Sequence, residues 1–184
     1  MDEEAQVVLS AELTNQAGDV DQLMDMMAAT EDNLDEAGIE GRPTTTMADA
    51  GHCSEENLKK AADAQRDVLI ATGRLRHGER VPASPRGWVP KDATHRERMA
   101  RRLRTKPGRA DYPGRKAIVE PVFGQTKVRQ RAGFLRLRGL EGAQGEWMFH
   151  ALCHNLRMRG RDGRPGRGAG VSPRAPGRSP VSRQ

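Results

Sequence analysis

Short β-compatible apolar runs alternate along this chain with stretches whose apolar residues fall at helical spacing, and the order strand, helix, strand, helix, strand predicts an α/β fold. Gln6 to Leu13 carries Val7, Val8 and Leu9 ahead of the polar break Thr14-Asn15-Gln16 and is expected as a strand. From Asp19 to Glu36, Val20, Leu23, Met24, Met27, Ala28 and Leu34 fall at helical spacing, and Gly38-Ile39-Glu40-Gly41 ends the run. Thr44-Thr45-Thr46-Met47-Ala48 suits a buried strand that stops at Asp49-Ala50-Gly51. Ser54 offers a helix N-cap, Glu55 and Glu56 suit its first turn, and Leu58, Ala61 and Ala62 give it a short apolar stripe. Val68-Leu69-Ile70-Ala71 reads as the third strand.

Thr72 to Lys91 is rich in Gly, Pro and Arg and predicts a long exposed loop, either functional or disordered. Asp92 to Arg104 reads as a charged helix, anchored by Met99 and Leu103. In the run Arg115 to Lys127, Val119 and Phe123 stand one turn apart and would hold a helix against a core, with Glu120 along its edge. Pro121 interrupts that helix, which is expected either as two joined pieces or as one helix starting near Val119. Leu140 to Met158 is the last helix, with Trp147, Ala151 and Leu152 expected toward the core. Arg159 to Gln184 keeps no hydrophobic period and reads as a disordered basic tail, so residues 1–158 form the expected domain and 159–184 its appendage.

Composition narrows the picture. The chain has 184 residues, 35% hydrophobic and only 3% aromatic, which leaves little material for a large core. Its net charge of +6 conceals an asymmetry: residues 1–41 carry −12 and residues 42–184 carry +18. A basic body of that size predicts a polyanionic partner, nucleic acid in the first instance. Two distant cysteines, no secretory signal and no long apolar run predict a soluble protein of a reducing compartment, without disulfides or a membrane span.

Two carboxylates stand out. Asp49 ends a strand, where open α/β sheets place their ligands, and Glu120 is the lone acid in a basic helix. Each also has an ordinary role open to it: Asp49 capping the helix that begins at Ser54, Glu120 pairing with Lys116 or Lys127. His150 and His154 stand one turn apart with Cys153 between them. A zinc-protease helix would need Glu where Ala151 stands, so packing within the last helix is the expected role of these residues. Arg101, Arg102, Arg104, Lys106, Arg109, Arg115, Lys116, Lys127, Arg129 and Arg131 are the candidate phosphate contacts. Trp147 is expected in the core and Trp88 as an exposed stacking residue of the loop.

The segments Ala11-Glu12-Leu13-Thr14-Asn15-Gln16-Ala17-Gly18-Asp19-Val20, Ala48-Asp49-Ala50-Gly51-His52-Cys53-Ser54-Glu55-Glu56-Asn57-Leu58 and Ile70-Ala71-Thr72-Gly73-Arg74 occur in that order. They are followed by Pro90 to Thr94, Ala100 to Lys106, Arg115 to Lys127, Arg138 to Glu141, Gly145 to Trp147 and His154 to Leu156. Together they resemble the DDE transposases of bacterial insertion sequences. The resemblance implies a ribonuclease-H-like domain that cuts and rejoins DNA with two Asp and one Glu around Mg²⁺ or Mn²⁺, working in the bacterial cytoplasm at the nucleoid. Asp49 resembles the family's second Asp and Glu120 its Glu. Tyr112, Arg115, Glu120 and Lys127 resemble its Tyr-Arg-Glu-Lys signature, with Lys116 at the offset usual for the Arg. Tyr112, Arg115, Lys116, Lys127, Arg129 and Arg131 are the DNA-binding residues that this implies.

The family's first catalytic Asp lies on a strand ahead of the equivalent of Gln6, and Asp2, Glu3 and Glu4 stand in the wrong context to replace it. The expectation is therefore an incomplete ribonuclease-H-like fold of about three strands, lacking the first catalytic strand. It is a C-terminal transposase part, either a truncated remnant or the downstream product of a split reading frame. Alone it is expected to be inactive. Its expected partners are DNA and either an N-terminal half or full-length transposase, the latter if it acts as a non-catalytic DNA-binding or dimerising modulator.

Overall fold

The computed structural model describes residue 1 and residues 6–73, 82–84 and 86–162, the last three without their side chains. Part of the expected loop, residues 74–81 and 85, and the expected tail from residue 163 onward lie outside the described residues. Helix α1 spans Gln22–Glu36, strand β1 Thr46–Ala48, helix α2 Glu55–Asp63 and strand β2 Val68–Ile70. Helices α3 (His95–Leu103), α4 (Lys106–Asp111), α5 (Gly114–Arg129) and α6 (Gly139–Asp162) follow. The result is a mainly helical α/β arrangement around one short sheet.

That sheet has two parallel strands, with Thr46 opposite Val68, Met47 opposite Leu69 and Ala48 opposite Ile70. All three residues of β2 are buried, Ile70 completely, as expected of a parallel strand covered on both faces. Leu23 and Met27 of α1, Leu58 and Ala61 of α2, and Met99 of α3 pack around it as one core. The start of β2 is clamped by Asp67. Its backbone carbonyl accepts from Thr46 N–H at 2.9 Å, and its carboxylate accepts from Thr45 Oγ1 and Arg102 Nη2, both at 2.7 Å. Arg102 Nη1 also reaches the Asp67 carboxylate and donates to Val68 O at 3.0 Å. One two-pronged guanidinium thus joins α3 to the entry of both strands.

Local rules account for most helix ends. After α1, Ile39 N–H bonds Leu34 O at 2.9 Å and Gly38 N–H bonds Asp35 O at 3.0 Å, a Schellman turn that needs the positive φ of Gly38 (69°). Ser54 caps α2 through Asn57 N–H. Thr94 and Glu97 form a capping box on α3, and Glu55 of α2 accepts the next two amides, His95 N–H at 2.6 Å and Arg96 N–H at 3.0 Å. Those bonds, from Arg96 first, hold the Glu55 carboxyl below its ordinary range. Gly108 of α4 lies against the end of α3 so closely that a Cβ would come within 2.3 Å of Arg102 O, so only glycine fits.

Three expectations are corrected. Residues 6–13 form no strand. They run along α6, where Asn155 exchanges two 2.8 Å bonds with the Val8 backbone and Gln144 bonds Leu13 N–H and Ala11 O. Asn33 reaches Leu9 O, and His154 Nε2, buried to 1%, donates to Gln6 O at 2.9 Å. Residues 144 and 155 are eleven apart, about three turns, so they share one helix face and satisfy the extended segment as a neighbouring strand would. Second, α5 is a single helix that begins at Gly114, well ahead of Pro121. The proline forfeits one hydrogen bond, and packing of Val122 and Thr126 beyond it keeps the second half in line. Third, Leu152 points outward at 53% exposure, whereas Trp147 is half-buried and stacks on Phe123 at 5.9 Å. The last helix also outruns Met158, reaching Asp162.

Two outcomes are expected. Asp67 is held below its ordinary value of 3.8, chiefly by Arg102, so its ionised form favours the folded state. That contribution is complete above pH 3.8 and is lost as the pH falls through the lower folded value. Asp67→Asn should therefore lower stability at neutral pH and flatten the acid limb of a urea-midpoint profile. Asn155→Ala should release residues 6–13, raising amide exchange at Val8 by the loss of about 1–3 kcal/mol of local protection.

Candidate functional site

Asp49 follows the last residue of β1 and caps the 3₁₀ turn Ala50–His52, its Oδ1 accepting from Gly51 N–H at 3.0 Å. It does not cap α2, which Ser54 serves. The side chain is exposed. Close by, at Gly51, stands a carboxylate that the sequence reading had passed over: a Cβ on Gly51 would lie 3.2 Å from both Asp49 Oδ1 and Asp19 Oδ2. The run Asp49-Ala50-Gly51 carried the signal, since a residue without a side chain is what lets two acids flank one backbone position.

Thr46 N–H and Ala48 O turn toward β2, bonding Asp67 O at 2.9 Å and Ala71 N–H at 3.4 Å. Alternation along the strand turns Met47 N–H and C=O the other way, and among the described residues no strand lies there. A cavity of about 1690 Å³ runs along that open edge. Its walls include Leu23 and Met27 of α1, Val119 and Val122 of α5, and Trp147 of α6, with Asp49, His52 and Arg115 among its polar lining. Two of those polar groups are incomplete: His52 Nδ1 and Arg115 Nε are shielded from solvent yet have no hydrogen-bond partner. The cavity is partly open to solvent, and buried polar atoms without a partner are uncommon in native proteins.

Helix α5 presents its cavity face through Arg115, Ile118, Val119 and Val122. Glu120 is not among the lining residues. At about 100° per residue it falls on the flank shared with Lys116 and Lys127. Glu120 is exposed, and neither lysine forms an ion pair with it. Lys127 instead sits 6.0 Å above the Phe123 ring. Lys116, Arg129 and Arg131 are exposed, Arg131 with a positive φ of 56° just past the end of α5. Tyr112 lies at the α4–α5 junction, where its hydroxyl donates to Ala48 O at 3.1 Å and its ring carries the Arg115 guanidinium at 5.5 Å. It therefore ties the start of α5 to the residue next to Asp49.

Several other candidate cations have protein partners. Arg101 bonds Arg86 O and Gly87 O, Arg102 bonds Asp67, Arg104 Nε bonds Ala100 O, and Arg109 bonds Pro82 O. His150 and His154 do not converge, since Nδ1 of one meets Gln130 Oε1 and Nε2 of the other meets Gln6 O. No cluster of three His, Cys, Asp or Glu side chains able to hold a metal occurs among the described residues. Asp49 and Glu120 each offer hard oxygen donors, right in kind for Mg²⁺ or Mn²⁺, but Asp49 lines the cavity and Glu120 does not. Tyr112→Phe should keep the ring and lose the bond to Ala48 O. An unfolding free energy lower by about 1 kcal/mol, read from a urea denaturation curve, is the expected result.

Comparison with curated proteins and with solved structures gives no match to this chain. The family model described as "Transposase DDE domain" matches residues 1–156, from ahead of α1 into α6. That span contains β1 with Asp49 at its end, α5 with Glu120, and the Tyr112 link between them. It also names a kind of protein that acts on DNA with divalent metal, in keeping with the +18 charge of residues 42–184. The chain belongs to the transposase DDE domain family.

Proposed function

We propose that this chain is the C-terminal part of a DDE transposase, contributing two of three metal-binding carboxylates, Asp49 and Glu120, to an incomplete ribonuclease-H-like domain. The observation that carries this reading is the edge of β1, unpaired among the described residues, ending at Asp49 and facing a cavity of about 1690 Å³ lined by apolar and polar side chains. A strand laid along Met47 would fill the cavity and pair the open amides. A carboxylate on that strand would answer the unpartnered Arg115 Nε and His52 Nδ1. In this reading that strand carries the third acid and comes from a complementing N-terminal half or from full-length transposase.

Divalent Mg²⁺ or Mn²⁺, when bound, would activate a water or hydroxyl and stabilise the leaving oxygen of a phosphodiester. The chain's own residues prepare the place. Asp49 is oriented by Gly51 N–H, Tyr112 fixes the β1 end against α5, and Lys116 and Lys127 flank Glu120 with positive charge that suits a phosphate backbone. Arg129 and Arg131 extend that charge beyond the helix. A second reading, a DNA-binding or dimerising modulator without catalysis, rests on the same cations.

Purified chain incubated with supercoiled plasmid and Mg²⁺ or Mn²⁺ is expected to retain the DNA in a salt-dependent manner and leave it uncut. Divalent-dependent nicking by the chain alone, abolished by Asp49→Ala or Glu120→Ala, would overturn the incompleteness. Failure to bind DNA at any salt concentration would overturn the DNA-binding reading as well.

A further inference from the structure

Trp88 is 97% exposed, the extreme among the large hydrophobic side chains of the described residues. The indole is a large, flat, amphipathic ring, and here both of its faces are open to solvent. The backbone around it is nevertheless fixed. On one side, Arg101 Nη2 donates to Gly87 O and to Arg86 O at 3.1 Å. On the other, Arg98 Nη2 donates to Lys91 O at 2.9 Å and Pro90 O at 3.3 Å, while its Nε donates to Ala93 O at 2.9 Å.

Arg98 and Arg101 are three residues apart on α3, on neighbouring positions of one face, and together they strap the loop to the helix. Gly87, at φ 78°, supplies the turn that lifts the next residue outward. The strap lowers the cost of ordering the loop around a ligand, since the backbone is already held.

The charge around the indole selects the ligand. Residues 86–104 contain seven cations, among them the exposed Arg86 and Lys91 on either side of Trp88, and two acids, Asp92 and Glu97. Glu97 is engaged in the α3 capping box. An exposed ring bordered by cations suits a ligand that is planar and aromatic at one point and anionic beside it. A nucleotide meets that description when its base is not occupied by stacking within a duplex.

We infer that Trp88 is a stacking platform for an unpaired base of DNA, with Arg86 and Lys91 meeting the adjoining phosphates. The inference rests on the DNA-binding reading above and adds the form of DNA that this loop takes. The surface is separate from the Asp49 cavity, which does not include Trp88.

The test is binding of the full chain to a labelled single-stranded oligonucleotide and to its duplex, followed by anisotropy across a salt series. Trp88→Ala should weaken single-strand binding roughly 5- to 150-fold, leave duplex affinity and the salt slope unchanged, and keep the thermal midpoint of the parent. Trp88→Phe should recover most of the loss. Unchanged single-strand affinity in Trp88→Ala, or equal weakening on both DNAs, would overturn the stacking role while leaving the DNA-binding reading intact. Absence of binding by the parent to either DNA would overturn both.

Discussion

A parallel strand that has one partner among the described residues is the constraint on which this structure depends. Parallel pairs are slightly weaker than antiparallel ones and normally lie deep in a sheet with neighbours on both sides. Here β2 is entirely buried, while β1 has β2 on one edge and a cavity on the other. The pairing is kept by reinforcement from outside the ladder. Asp67 and Arg102 hold the strand entries, and Tyr112 holds the carbonyl of Ala48 at the exit. Asp49, one residue further, inherits its position from that exit, so the candidate chemistry and the sheet's integrity share the same few bonds.

The same constraint explains the treatment of polar groups elsewhere. Residues 6–13, which read as β-forming, find their hydrogen bonds on the amide side chains of α6. On α3, two of the arginines expected as phosphate ligands have other work. Arg102 serves the sheet, whereas Arg101, together with Arg98, serves the loop that carries Trp88. An arginine that fixes a loop and leaves neighbouring cations exposed can contribute to recognition without touching the ligand itself.

Much of the helical architecture was legible because its signals are local: Ser54 as a cap, Gly38 in the segment that stops α1, and the apolar period of α1 all act within a few residues. Asp49 at a strand end and Glu120 within a basic helix were legible as types and, through the family resemblance, as candidates. What was not legible depended on partners distant in sequence. Nothing near Val8 announces that Asn155 will complete its hydrogen bonds. Nothing near Pro121 says that packing beyond it will keep α5 whole, and the pairing of Asp19 with Asp49 around Gly51 requires the fold. The outward turn of Leu152 was missed for a different reason: α6 is apolar on more than one side, with Met148, Phe149 and Leu156 also exposed, so periodicity could not select the inner face.

Amide hydrogen exchange across β1 tests the open edge most directly. Thr46 bonds Asp67 O and Ala48 lies within the β1–β2 ladder, so both amides should exchange only when the sheet opens. Met47 N–H, turned toward the cavity, should exchange faster than either by at least a factor of about ten, about 1.4 kcal/mol of protection. Equal protection of all three amides would mean that the edge of β1 is already covered in the chain alone, and would contradict the proposal that the sheet takes a further strand.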